Sequence, residues 1–278
     1  MQEDEKGREK REENRGKEGR RNFKIILEYD GTRFAGWQKQ PGKRTIQGEL
    51  ENALFRLTGE RVETVAAGRT DAGVHACGQV VSAFIKWRKD ARSLAAALSA
   101  VLPEELAAIG ATAAAAAFDA RKDALERAYR YAILCRDARS PLAGRFCWQM
   151  KPPLDAGLMK KAAALFAGKH DFKAFCAGEA REWSRRRINL IRVGLAGPLV
   201  TVDIAANSFL RHMVRMVAGA LAGVGKGRLS LNDIKTALKC GRGPVAGMAP
   251  SRGLALLWVR YRGERPGKTV NWPPLLAQ

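Results

Sequence analysis

The chain has 278 residues, enough for one large domain or two modest ones. Hydrophobic residues at 46% and aromatic residues at 7% exclude a wholly disordered polymer. A formal net charge of +21 points to a polyanionic partner, nucleic acid ahead of an anionic membrane surface, without separating RNA from DNA.

Residues 1–22 hold eight Lys or Arg and seven Asp or Glu, so they read as a charged, disordered tail. The remainder carries 41 basic against 21 acidic side chains, which puts the excess charge on the part that folds. From Phe23 the segment FKIILEYDG reads as a strand, with Ile25, Leu27 and Tyr29 on one face and a turn at Asp30-Gly31. Thr45 is a predicted N-cap for a helix with the stripe Ile46, Leu50, Ala53, Leu54 and Leu57. The stretch ETVAAGRTDAGVHACGQVVSAFIKW reads as strand, loop, strand, and a helix capped near Ser93 follows. Residues 111–117 are nearly all alanine and favour a helix by propensity, whereas their place in the chain suits a strand. RAYRYAILC alternates Tyr129, Tyr131 and Ile133 as a strand does.

A second unit is expected to begin near Pro152-Pro153, which divides the folded part into 23–150 and 151–265, with 266–278 as an extension. It opens with the amphipathic helix LDAGLMKKAAALFAG. A basic loop follows, with Arg181, Arg185, Arg186 and Arg187 around Trp183, a pattern suited to phosphate contact and stacking. After strands alternating Val200, Val202 and Ile204, the segment NSFLRHMVRMVAGALAGVG is predicted as one helix. Ser230 and Asp233 form a capping box for the next helix, and GLALLWVRYR reads as a buried strand. The class is α+β or mixed α/β.

Five scattered cysteines without a CxxC pair, and only three histidines, leave a zinc site poorly supplied with ligands. They suggest a reducing compartment. The N-terminus is too charged for a signal peptide, and the longest apolar stretch, near Met213–Val224, is broken by Arg215 and too short for a bilayer. A cytoplasmic protein off the membrane is the expectation.

One carboxylate stands out. In Ala67-Gly68-Arg69-Thr70-Asp71-Ala72-Gly73-Val74-His75, Asp71 lies in a loop between apolar strands with glycines on either side, which lets a ligand approach the backbone closely. Arg69, two residues earlier, supplies a positive charge of the kind that favours a carboxylate anion, the form a nucleophile or base needs. By spacing alone an ordinary Asp turn with a structural ion pair is the favoured reading. Arg215 sits mid-helix in an apolar segment, so its charge needs a carboxylate partner or a route to solvent.

AAGRTDAGVHACGQVV resembles the catalytic motif of the TruA family of tRNA pseudouridine synthases. YDGTRFAGWQKQ, TIQGELENAL, FDARKDALERAYRY, HDFKAF, NSFLRHMVRMVAG and APSRGLALLWVRY accompany it in the family's order, so the resemblance spans residues 23–262. It implies an α+β fold of two related domains around a curved, mainly antiparallel sheet, with 111–117 as strand. It also implies a homodimer that uses no metal or organic cofactor. The implied reaction converts uridine to pseudouridine at positions 38 to 40 of the tRNA anticodon stem-loop. Asp71 matches the essential aspartate, with attack on sugar, attack on base and proton abstraction all open. Tyr129 matches the active-site tyrosine, and Tyr131 is a weaker candidate on the same face. Arg215 matches the arginine that pairs with the aspartate, Arg69 the one that takes the place of an extruded base, and Arg211 is a phosphate candidate. His75 and His212 are expected as hydrogen-bonded structural groups near the cleft. Ser82 and Asp119 depart from the family, where histidine is common. Two alternatives stand beside this reading: an RNA-binding protein that has lost turnover, and the same chemistry on other uridines or another structured RNA.

Overall fold

The computed structural model describes residues 19–178, 184–243, 246–265 and 272. Its ten strands form one sheet in the order β4-β1-β3-β10-β5-β9-β8-β7, with β2 added to β3 and β6 to β5. They are β1 (Arg21–Tyr29), β2 (Val65–Ala66), β3 (His75–Ile85), β4 (Leu106–Ala113), β5 (Glu126–Cys135), β6 (Trp148–Met150), β7 (Gly168–Asp171), β8 (Arg185–Ala196), β9 (Leu199–Ala206) and β10 (Leu254–Arg260). Pairing is antiparallel except between β3 and β10 and between β5 and β6. The sheet runs unbroken across residue 150, because β10 pairs with both β3 and β5.

The helices are α1 (Ile46–Thr58), α2 (Ala91–Val101), α3 (Ala156–Ala164), α4 (Met213–Gly225) and α5 (Leu231–Cys240). Their apolar stripes join one core with Tyr129, Tyr131 and Ile133 of β5. The alternate residues Ala132 and Leu134 point the other way, into a smaller cluster with Cys147, Leu199 and Trp272. Period-two alternation thus gives β5 a helix-covered face and a back face. Trp272, from the expected C-terminal extension, lies against His75 and Phe146, ring centroids 4.9 and 5.4 Å away.

Caps define the helix starts. Thr45 accepts from the Gly48 N–H at 3.2 Å, and Ser230 and Asp233 form the capping box. Asp90 rather than Ser93 caps α2, accepting the Ser93 N–H at 2.7 Å. The expected tail also ends sooner than residue 22, since Arg21 and Asn22 pair with Ile85 and Phe84. Asn22 is buried and donates its amide to the Ala115 and Phe118 carbonyls at 2.9 and 2.8 Å. Those bonds turn the Ala-rich segment out of the sheet. Ala111 pairs with Ile25 as strand, but β4 stops at Ala113 and residues 114–117 leave it. Sheet pairing overrides helix propensity there.

Candidate active site

The loop that joins β2 to β3 carries Asp71, and buried groups hold it from several directions. Arg127 donates from Nε and Nη2 to the Ala67 carbonyl at 3.1 and 2.9 Å. Gln79 donates to the Gly68 carbonyl at 2.7 Å, and the Tyr29 hydroxyl meets Thr70 Oγ1 at 2.9 Å. The Thr70 carbonyl accepts the Trp37 N–H at 3.0 Å, and Asp71's own carbonyl accepts from Val74 at 3.1 Å. Gly36 permits this close approach. It has φ +96°, and a Cβ there would lie 2.8 Å from the Thr70 carbonyl oxygen. Gly36→Ala is therefore expected to push Thr70-Asp71 out of place, lowering turnover and costing about 1–2 kcal/mol of stability from the left-handed backbone alone. Paired urea-midpoint and activity measurements check this, and an unchanged pair would show that the loop does not depend on that contact.

Helix α4 supplies the opposite wall. It begins at Met213, not near residue 207 as the apolar pattern suggested, and Asn207–His212 form a loop that leads into it. Arg215 Nη1 lies 3.0 Å from Asp71 Oδ2, and its Nε donates to the Ala249 carbonyl at 2.8 Å. The Ala249 N–H returns a bond to the Arg215 carbonyl at 3.2 Å. His212 caps α4 in the left-handed region, φ 60°, with Nε2 3.3 Å from Asp71 Oδ1. Asp71 thus has a basic group on each oxygen.

Between these walls lies a cleft of about 1750 Å³. Its lining includes Arg69, Arg121, Arg127, Arg186, Arg211 and Arg215, and Asp71 is the only carboxylate among the described lining residues. A pocket for a small metabolite is nearer roughly 300–1,000 Å³. The size and the charge suit a nucleotide still joined to its phosphate backbone.

Arg69 is exposed at the cleft and makes no ion pair among the described residues, so its guanidinium is not spent on Asp71. Tyr129 is almost fully buried, packs edge-on against Phe209 at 5.2 Å, and has its hydroxyl beside Gly68. Burial, reinforced by Tyr29 and Asp71, raises its phenol well above the ordinary range. At neutral pH it is a proton donor and an aromatic surface, not a base. Tyr131 stands apart from the cleft lining, fully buried, with its hydroxyl donating to the Pro250 carbonyl at 2.7 Å. It secures the segment that Arg215 also grips.

Arg211 lines the cleft rim and is exposed. Arg185, Arg186 and Arg187 belong to β8, not to a loop, and pair with β7. Alternation therefore separates them: Arg186 lines the cleft, while Arg185 and Arg187 do not and are exposed. Arg181 and Trp183 lie outside the described residues. His75 is fully buried away from the cleft lining, its Nδ1 accepting the Gly31 N–H at 3.1 Å. Ser82 accepts the Ala120 N–H at 3.0 Å, and Asp119 caps the turn at Arg121 and Lys122. Both departures from the family are thus held in local structure. Among the described residues no group of three His, Cys, Asp or Glu side chains could hold a metal ion, and no helix is long and apolar enough to cross a membrane.

Arg127 and Arg121 are two further lining residues that no motif of their own marks in the sequence. For Arg127 the signal was present: it shares the period-two face of Tyr129 and Tyr131, where a charge is out of place. It is buried and makes no ion pair with a carboxylate among the described residues. Its remaining bonds run to the carbonyls of Ala124, Arg121 and Asn207 at 2.7–2.8 Å.

A family model described as tRNA pseudouridine synthase matches residues 25–121 and 162–262. The chain belongs to the tRNA pseudouridine synthase family. It is 43% identical over 243 residues to tRNA pseudouridine synthase A of Moorella thermoacetica, covering 86% of this chain and 99% of that one. The same-named protein of Pelobacter propionicus is 40% identical over 87% of this chain and all of its own length. That of Myxococcus xanthus is 40% identical over 89% and 94%. A solved Cbf5-Nop10-Gar1 complex is matched over 72% of this chain and 45% of that one, at 13% identity and a TM-score of 0.31. As a tRNA pseudouridine synthase of the TruA type the chain is an isomerase that converts uridine to pseudouridine, on the mixed α+β fold described above.

Proposed function

We propose that this enzyme modifies uridines 38 to 40 of the tRNA anticodon stem-loop and that Asp71 is its essential catalytic residue. The supporting observation is a lone carboxylate in a cleft lined by arginines, gripped by Arg215 at 3.0 Å. Such a cleft draws in the phosphate backbone and leaves one anion to face the extruded nucleotide.

Each neighbour has a part. Arg215, anchored at Ala249, fixes the rotamer of Asp71. Tyr129 offers an aromatic face for the uracil and a phenolic proton at the loop beside Asp71. Arg69, exposed and unpaired with acid among the described residues, is free to fill the space that an extruded base vacates, offsetting a few kcal/mol of lost stacking. Arg186 and Arg211 contact phosphate. Arg185 and Arg187, exposed on β8 outside the cleft lining, extend the basic surface for the same backbone. Catalysis runs on side chains alone, without metal or organic cofactor. The resemblance speaks for a homodimer, and the scattered cysteines for work in the cytoplasm.

Pseudouridine mapping on unmodified tRNA with uridines at positions 38 to 40 tests the reading. Product there is the expected result, and product only elsewhere would move the target. Binding is expected to weaken steeply with salt. Six phosphate contacts cost on the order of a thousandfold in affinity between roughly 50 and 200 mM salt. A filter-binding titration that gave a flat salt dependence would contradict the basic cleft.

A further inference from the structure

We propose that His212 is a positioning residue for the isomerisation, set against the Asp71 oxygen that Arg215 leaves free. The inference rests on the reading of Asp71 as the catalytic residue. Three observations carry it. His212 Nε2 faces Asp71 Oδ1 at 3.3 Å, while Arg215 Nη1 donates to Oδ2 at 3.0 Å, so a basic side chain stands at each end of the carboxylate. Among the described residues His212 is the only one other than glycine with a positive φ, at 60°. Its Nδ1 is buried without a hydrogen-bond partner among those residues.

The second and third observations are costs. A side chain in the left-handed region is strained, and a buried ring nitrogen without a partner forfeits its hydrogen bond. A residue chosen only to start α4 would avoid both: glycine accepts the backbone, and asparagine or serine caps a helix with its side chain. His212 makes no capping side-chain bond. What the conformation achieves is to turn the imidazole toward Asp71 from the residue before α4. Arg215 comes from within that helix, so both groups hold Asp71 from one rigid element. With both oxygens held, the carboxylate presents a single orientation to the nucleotide, and small errors of orientation at a reacting group are costly in rate.

The test uses the full-length enzyme and three variants. His212→Gly relieves the backbone and deletes the contact. His212→Gln restores a donor at the reach of Nε2. Asp71→Asn checks the underlying reading. Single-turnover rates at saturating enzyme, tRNA affinity and thermal midpoint are measured for each. The expected result is a rate about tenfold lower for His212→Gly, with affinity within about twofold and a midpoint no lower than wild type, and most of the rate regained in His212→Gln. A merely structural histidine predicts the reverse, with wild-type turnover in the glycine variant. That outcome, or a loss that glutamine does not restore, overturns the proposal. If Asp71→Asn itself turns over normally, the catalytic assignment of Asp71 fails instead.

Discussion

Asp71→Asn is expected to reduce pseudouridine formation by on the order of 10⁴ or more while tRNA binds as tightly as to wild type, or more tightly. The two halves of this prediction have separate causes. The amide keeps the size and one acceptor of the carboxylate, so Arg215 at 3.0 Å retains a partner and the loop keeps its shape. What is lost is the only carboxylate among the described cleft-lining residues, and with it the group that any of the three chemical routes requires. For the polyanion, removing a negative charge from a basic cleft lowers repulsion. Mapping product and titrating binding on the same preparation separates these effects. Near-normal turnover would displace Asp71, and a large fall in affinity would mean that it holds structure rather than performs chemistry.

Arg127→Met should be the most destabilising change at the cleft. The guanidinium serves the carbonyls of Ala67, Ala124, Arg121 and Asn207, and burial pulls its pKa below the ordinary arginine value without neutralising it. Methionine fills the volume but leaves those carbonyls without a donor. A buried carbonyl left without its donor costs about 1–3 kcal/mol, so losing a guanidinium that serves four of them costs several kcal/mol. In a chain of this size that lowers the thermal midpoint by roughly 10 °C. Arg127→Lys should recover only part, because one ammonium cannot reproduce a planar fork. A midpoint within about 2 °C of wild type for Arg127→Met would mean that water replaces the guanidinium without loss. Because the network joins the Asp71 loop at Ala67 to the loop entering α4 at Asn207, activity should fall with stability.

The site was legible in the sequence through whole motifs more than through local rules. For Asp71 the flanking glycines favoured no more than an Asp turn with an ion pair, and the resemblance of the whole motif singled it out. Arg215 was visible because a charge inside an apolar helix must find a partner, and the structure supplies Asp71 at 3.0 Å. His212 was placed near the cleft, but its backbone conformation has no signature in composition. Arg127 is marked in the sequence by alternation alone, because its partners are backbone carbonyls, which leave no trace in residue identity. In the fold, strands with clean alternation were legible, including Tyr129-Tyr131-Ile133. The start of α4 was not, since Phe209 and Leu210 continue the apolar pattern without being helical. Arg185–Arg187 read as loop because three consecutive charges hide the alternation of an edge-side strand, although only Arg186 turns to the cleft.

The position of β10 has a consequence for how the protein is made. This strand, formed by residues 254–260, is inserted between β3 and β5, which are synthesised more than a hundred residues earlier. Until residues 254–260 have been made, β3 and β5 have no strand between them, and the edges that take β10 stay open. Until β10 is in place, β3, which follows the Asp71 loop, and β5, which carries Tyr129, lack the strand that pairs with both. Closure by so distant a segment is slow, and it leaves a window for misassociation.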